Sequence, residues 1–136
     1  MTEVIDSSVL VAFCLNEKGL NREKMRELLL KGVFSVDLII SESANAIITS
    51  RRRGLTDKDM AVRAFEVMLD FARNNIRLTP QLEIISDAFE MAESHSIAIY
   101  DALYLSVAKK LKSSLVSLDS KQIDLAGKLG IEVEEI

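Results

Sequence analysis

The chain has 136 residues, 49% of them hydrophobic and 28% charged, with a single proline. That is enough for one domain with a substantial core, and it excludes a disordered chain. Its 21 acids against 17 lysines and arginines give a net charge of −4. This excludes a surface coated in basic residues for nucleic acid, while leaving room for local basic patches beside a cation-filled acidic pocket.

In chain order, short β-type runs alternate with longer helical patterns. Glu3–Asp6 reads as a strand, followed by a helix near 8–16. A second helix over 21–31 starts at the cap residue Asn21 and is closed by Gly32. Val33–Val36 is the next strand, and 38–53 a helix with Ile40, Ala44 and Ile47 as its core stripe, closed by Gly54. The spacing of Ala61, Ala64, Phe65, Met68 and Ala72 predicts a helix over 57–74, with Thr56 as its cap. After strand Ile76–Thr79, Thr79 serves as cap and Pro80 as first residue of helix 81–95, where Leu82, Ile85, Phe89 and Ala92 repeat the pattern. A helix over 99–112, strand Ser114–Leu118, helix 120–129 with Gly130 at its end, and strand Ile131–Glu134 complete the chain. This alternation predicts an α/β fold, a parallel sheet of about five strands covered on both faces, in one domain over 1–136.

No candidate membrane span emerges, since the longest apolar run, Val9–Leu15, is far too short. No basic region followed by a long apolar stretch opens the sequence, and Cys14 has no partner for a disulfide within the chain. A reducing, cytoplasmic setting is the expectation.

Four acids stand where an acid is awkward. Asp6 and Asp119 follow apolar strands, Asp101 opens a helix that is apolar nearly all round, and Glu42 lies a turn into its helix. Acids are rarely buried unless paired or metal-bound. In an open parallel sheet, strand ends and helix starts face one edge, where ligands bind, so all four can point at one spot. At about 4 Å and an effective dielectric of about 20, each like-charge pair costs roughly 4 kcal/mol. Protons or a divalent cation must offset that. Oxygen-only ligands favour Mg²⁺ or Mn²⁺ over zinc, and such a cation suits hydrolysis of a phosphodiester.

Taken together, Val4-Ile5-Asp6-Ser7-Ser8-Val9-Leu10-Val11, Glu42 ahead of Arg51-Arg52-Arg53-Gly54, Tyr100-Asp101-Ala102-Leu103-Tyr104 and Leu115-Val116-Ser117-Leu118-Asp119 resemble a PIN domain. The likeness spans essentially the whole chain and is nearest to small VapC-like toxins. It implies a three-layer α/β/α fold and a Mg²⁺- or Mn²⁺-dependent ribonuclease acting on RNA. It also implies a homodimer, silenced by a cognate antitoxin. By this match Asp6, Glu42, Asp101 and Asp119 are the catalytic, metal-binding acids, and Ser7 and Ser117 are hydroxyls that support them. One departure is Val36-Asp37, where the family often has proline before the Glu42 helix; Asp37 could cap that helix instead.

Plainer readings stand beside these. Asp6 and Asp119 could each cap the helix that follows, Asp101 could complement a helix dipole, and Glu42 could be an ordinary half-exposed residue. Arg51, Arg52 and Arg53 fit a cationic helix end, or contacts to RNA phosphate. Tyr100 and Tyr104 fit packing better than base stacking. His95 is the sole histidine, which excludes a paired-histidine mechanism within one chain. No Gly-x-Ser-x-Gly elbow, Gly-rich phosphate loop or Cys-x-x-Cys pair occurs. Two other classes remain open: a catalytically weak PIN-like module that binds RNA or protein, and a receiver-like signalling domain. The latter expects adjacent acids after the first strand, where this chain has Asp6-Ser7-Ser8.

Overall fold

A computed structural model describes residues 2–136. Five parallel strands form one sheet in the order β3-β2-β1-β4-β5, where β1 is Glu3–Ile5, β2 Val33–Val36, β3 Ile76–Thr79, β4 Ser114–Val116 and β5 Val133–Glu134. Register is set by pairs such as Val4 with Phe34 and Leu115, and Leu115 with Val133. The helices are α1 (Ser7–Cys14), α2 (Arg22–Lys31), α3 (Leu38–Arg52), α4 (Lys58–Asn74), α5 (Gln81–His95), α6 (Ile99–Leu111) and α7 (Ser120–Lys128).

The strand order reverses beside β1: the chain steps outward through β2 to β3, then returns across the sheet to β4. Right-handed crossovers therefore put α1–α4 on one face and α5–α7 on the other. Packing agrees, with α1, α3 and α4 in mutual contact and α6 lying against β1, β2 and β4 beneath α5. Val4, Ile5, Leu115 and Val116 are wholly buried between these layers. Burial on both faces explains why Val4-Ile5, Val33-Phe34 and Leu115-Val116 are consecutive apolar pairs rather than an alternation with polar residues.

Element ends are where the sequence reading needs correction. Asp6 lies just beyond β1, β4 stops at Val116 rather than Leu118, and β5 begins at Val133 rather than Ile131. Asp57, not Thr56, caps α4, accepting from the Met60 N–H at 2.8 Å. At α5 the cap position is Pro80, and Thr79 is the last residue of β3. Asp37 holds the first residue of that helix from outside, accepting the Gln81 N–H at 3.1 Å, and makes no side-chain cap bond to α3. The tertiary partner across the β2–β3 pair displaces the local one. Asn21 caps α2 as expected, and Gly32, Gly54 and Gly130 all have positive φ at helix ends.

Helix faces are rotated in places. Ile39, Ser43 and Ile47 form the buried row of α3, rather than Ile40, Ala44 and Ile47. In α5 the buried row is Ile84, Ala88 and Met91, while Leu82 is 88% exposed and Phe89 is also exposed. Both rows have helical spacing, and hydrophobic pattern cannot choose between two apolar faces on one helix. In α4, Ala64, Met68 and Ala72 are buried but Phe65 faces solvent. Among the described residues no helix is long and apolar enough to cross a membrane.

Candidate active site

Asp6 sits at the point where strand order reverses, between the ends of β1 and β4. Its residue is 5% exposed, so its carboxylate needs donors. Oδ1 accepts the Ser8 N–H at 3.0 Å and the Ser8 hydroxyl at 2.5 Å, while Oδ2 accepts the Ser117 hydroxyl at 2.5 Å from the far side of the strand junction. Asp6 therefore does cap α1, and it also ties β1 to the loop after β4. Ser8 braces that loop a second time, accepting the Leu118 N–H at 2.9 Å. Burial pushes the Asp6 carboxyl up to about 6, against the pull of these hydrogen bonds.

Glu42 is half-buried, one turn into α3. The Ser7 hydroxyl donates to its Oε1 at 2.5 Å, and the Tyr104 hydroxyl donates to the same oxygen at 2.9 Å. Ser7 thus serves Glu42 rather than Asp6. Tyr104 is 2% exposed, and burial beside Glu42, with Asp6 in electrostatic reach, raises its phenol far above the usual range. Its hydroxyl remains a donor at any physiological pH. The packing expected of Tyr104 is present, whereas Tyr100 is largely exposed.

Asp101 and Asp119 stand in a more open setting. Although Ala102–Ala108 is buried without a break, the Asp101 side chain is 28% exposed, because it lies in the first turn of α6. The Lys121 ammonium lies 3.7 Å from its Oδ2. Asp119 is exposed and caps α7, its Oδ1 accepting the N–H groups of Lys121 at 2.9 Å and Gln122 at 3.4 Å. Gln122 links the two acids: its Nε2 donates to the Asp101 carbonyl at 3.3 Å.

Hydroxyls and the Gln122 amide thus join the acids through shared neighbours, but they do not form a finished cage. Among the described residues, no three Asp, Glu, His or Cys side chains are gathered to hold a metal ion. The donor set still fits a hard cation of the Mg²⁺ kind, which is ordinarily held by one or two carboxylates and several waters. Gln122 Oε1 supports that fit. It is buried, the Nε2 of the same amide bonded to the Asp101 carbonyl, and has no hydrogen-bond partner among the described residues, the condition a bound water would relieve.

Several of these residues carry no local signal. Tyr104 reads as packing until α3 is folded over it. Gln122 and Lys121 read as ordinary first-turn helix residues, and Ser8 as a spare cap. Arg51 and Arg52 occupy the last turn of α3 and Arg53 its C-cap, all exposed, which is the arrangement that opposes a helix dipole.

Known proteins share this fold. The PIN domain family model matches residues 4–128. Ribonuclease VapC3 of Pyrobaculum aerophilum is 29% identical over 119 residues, covering 88% of this chain and 90% of that protein. The crystal structure of PAE2754 from Pyrobaculum aerophilum superposes with a TM-score of 0.71 at 18% identity, over 99% of this chain and 89% of that one. VapBC2 from Rickettsia felis, solved bound to a DNA fragment from its promoter, gives 0.62 at 14% identity, over 99% and 98%. The five-stranded parallel sheet, the order of its helices and the match along most of the sequence make the chain a member of the PIN domain family.

Proposed function

We propose that this protein is a divalent-metal-dependent endoribonuclease, the toxin of a toxin–antitoxin pair, working as one domain in the cytoplasm. The single observation that carries the reading is Asp6: a carboxylate buried at the reversal of strand order, braced by hydroxyls from both flanking elements. Keeping an acid there raises its pKa and so costs stability, which is expected of a group retained for a ligand. The 29% identity to ribonuclease VapC3 supports RNA as the substrate. The family resemblance supports a cognate antitoxin and a homodimer.

Asp6 and Asp101 are the principal metal ligands in this reading, with Glu42 and Asp119 completing the shell directly or through water. A bound Mg²⁺ or Mn²⁺ supplies an acidified water and stabilises charge on the phosphoryl group. The protein's own share is to hold the acids in place: Ser8 and Ser117 fix Asp6, Ser7 fixes Glu42, and Gln122 ties the start of α6 to α7.

Cleavage of RNA with Mn²⁺ or Mg²⁺, with chelator, and by Asp101→Asn tests the proposal. Activity should require the cation and should be lost in the variant; activity that survives both would sink it. The rival reading, a catalytically weak module that binds RNA or protein, draws on the absence of a gathered acid cage among the described residues. Tight RNA binding with no measurable metal affinity would favour it.

A further inference from the structure

Of Tyr100-Asp101-Ala102-Leu103-Tyr104, the proposed reaction uses only the aspartate. Residues three apart on a helix are neighbours, so α6 turns Asp101 and Tyr104 to the same side. Asp101 is at the open end, whereas Tyr104 lies in the core and must find a partner for its hydroxyl. Its partner is Glu42 Oε1, the oxygen that also accepts the hydrogen bond of the Ser7 hydroxyl. A carboxylate oxygen has two lone-pair directions, and these two donors, from α6 and α1, fill both. The second oxygen, Oε2, takes no hydrogen bond from any described residue.

We infer that Tyr104 is a positioning residue, which together with Ser7 locks Oε1 of Glu42 and thereby presents Oε2 to a divalent cation or to its water. The inference rests on the metal-dependent reading above. A half-buried glutamate has three rotatable bonds, and binding an ion through one oxygen would ordinarily require stilling them all. Here two hydroxyls from separate elements have already done so, in the way outer partners orient a metal ligand. The arrangement also explains why a phenol is useful at this position. A phenylalanine would pack as well, but would leave Glu42 with a single donor.

Mn²⁺ binding, followed by isothermal titration calorimetry and by electron paramagnetic resonance of the free ion, tests this without RNA or turnover. Four proteins are needed: wild type, Tyr104→Phe, Glu42→Gln and the double variant. Tyr104→Phe should weaken Mn²⁺ binding about 10-fold, within the range for losing an outer partner, while melting as cooperatively as wild type. Glu42→Gln should weaken it at least as much, and adding Tyr104→Phe to that background should change affinity by less than about twofold, because the interaction it removes is already disarmed. Wild-type affinity in Tyr104→Phe, when Glu42→Gln binds weakly, would overturn the inference. So would an equal loss in both backgrounds, the mark of a merely structural tyrosine. A wild-type protein that takes up no Mn²⁺ would instead remove the metal-dependent reading, and the tyrosine's role with it.

Discussion

Along the carboxyl edge of the sheet, the Asp6 and Glu42 carboxylates take side-chain hydroxyls, with one backbone N–H besides at Asp6, whereas Asp101 meets a lysine and Asp119 takes backbone N–H groups. The first pair is fixed from several elements at once: Asp6 from α1 and the β4 loop, Glu42 from α1 and α6. The side chains of the second pair are held from α7, through Lys121 and the N–H groups of its first turn, while the Asp119 N–H donates to the Ser117 hydroxyl at 3.0 Å. The buried pair is therefore built into the fold, and the open pair is positioned by one short helix at the surface. Substitutions should cost the two halves differently.

The largest contrast is expected at Asp6. Its carboxyl is raised from 3.8 to about 6 in the folded protein, so the fold prefers the protonated acid. That preference costs nothing below about pH 4, where the acid is protonated folded or unfolded. Stability is lost as pH rises through about 6, and the shift amounts to roughly 3 kcal/mol. Asp6→Asn removes the charge, and its carbonyl can still accept from Ser8. In urea denaturation with chelator present, the variant should be more stable than wild type by up to about 3 kcal/mol at pH 8, with the gap closing towards pH 4. Its Mn²⁺ affinity should fall by more than about 10-fold. A stability difference that does not vary with pH would mean that Asp6 is not carrying a buried charge.

How much of this was legible beforehand follows the same division. Asp6, Asp101 and Asp119 are visible because each interrupts or ends an apolar run, and the alternation of strands and helices gives the parallel sheet. Gly32 and Asn21 punctuate the chain where local chemistry demands it. The supports of the buried half are not legible, because they are contacts between elements far apart in sequence: Tyr104 with Glu42, Ser117 with Asp6, Asp37 with Gln81. Hydroxyls and amides satisfy such contacts wherever the fold happens to put them, and no local spacing announces it. The rotated faces of α3 and α5 have another cause. Each helix carries apolar residues on more than one face, so the buried row is chosen by the neighbour it meets.

A smaller effect is expected at Asp119, where capping and ligation can be separated. Asp119→Ala deletes the acceptor for the Lys121 and Gln122 N–H groups, and loss of such a cap costs about 1 kcal/mol. Asp119→Asn keeps the acceptor and removes only the charge, so its stability should match wild type within about 0.5 kcal/mol. RNA cleavage should nevertheless drop in Asp119→Asn if the carboxylate completes the metal shell. Full activity in the asparagine variant, together with the stability loss in the alanine variant, would reduce Asp119 to a cap and leave the open half with Asp101 alone.

The smallest effect on the fold, and the one most particular to the open half, is expected at Lys121. Its side chain is 68% exposed, and its pairing with Asp101 at 3.7 Å is an exposed contact, so Lys121→Ala should change stability by no more than about 0.5 kcal/mol. The ammonium nonetheless stands where a divalent cation would compete for the Asp101 carboxylate. Removing it should strengthen Mn²⁺ binding at low salt, and the gain should shrink as salt screens the exposed charge. No such competitor is expected at Asp6 or Glu42, whose donors are neutral: hydroxyls at both and a backbone N–H at Asp6. A matching Ser7→Ala change should therefore weaken Mn²⁺ binding, opposite in sign to the lysine variant and nearly independent of salt. If both variants weaken binding, Lys121 acts as a support for Asp101, and the distinction between a half fixed by hydroxyls and a half balanced by charge fails.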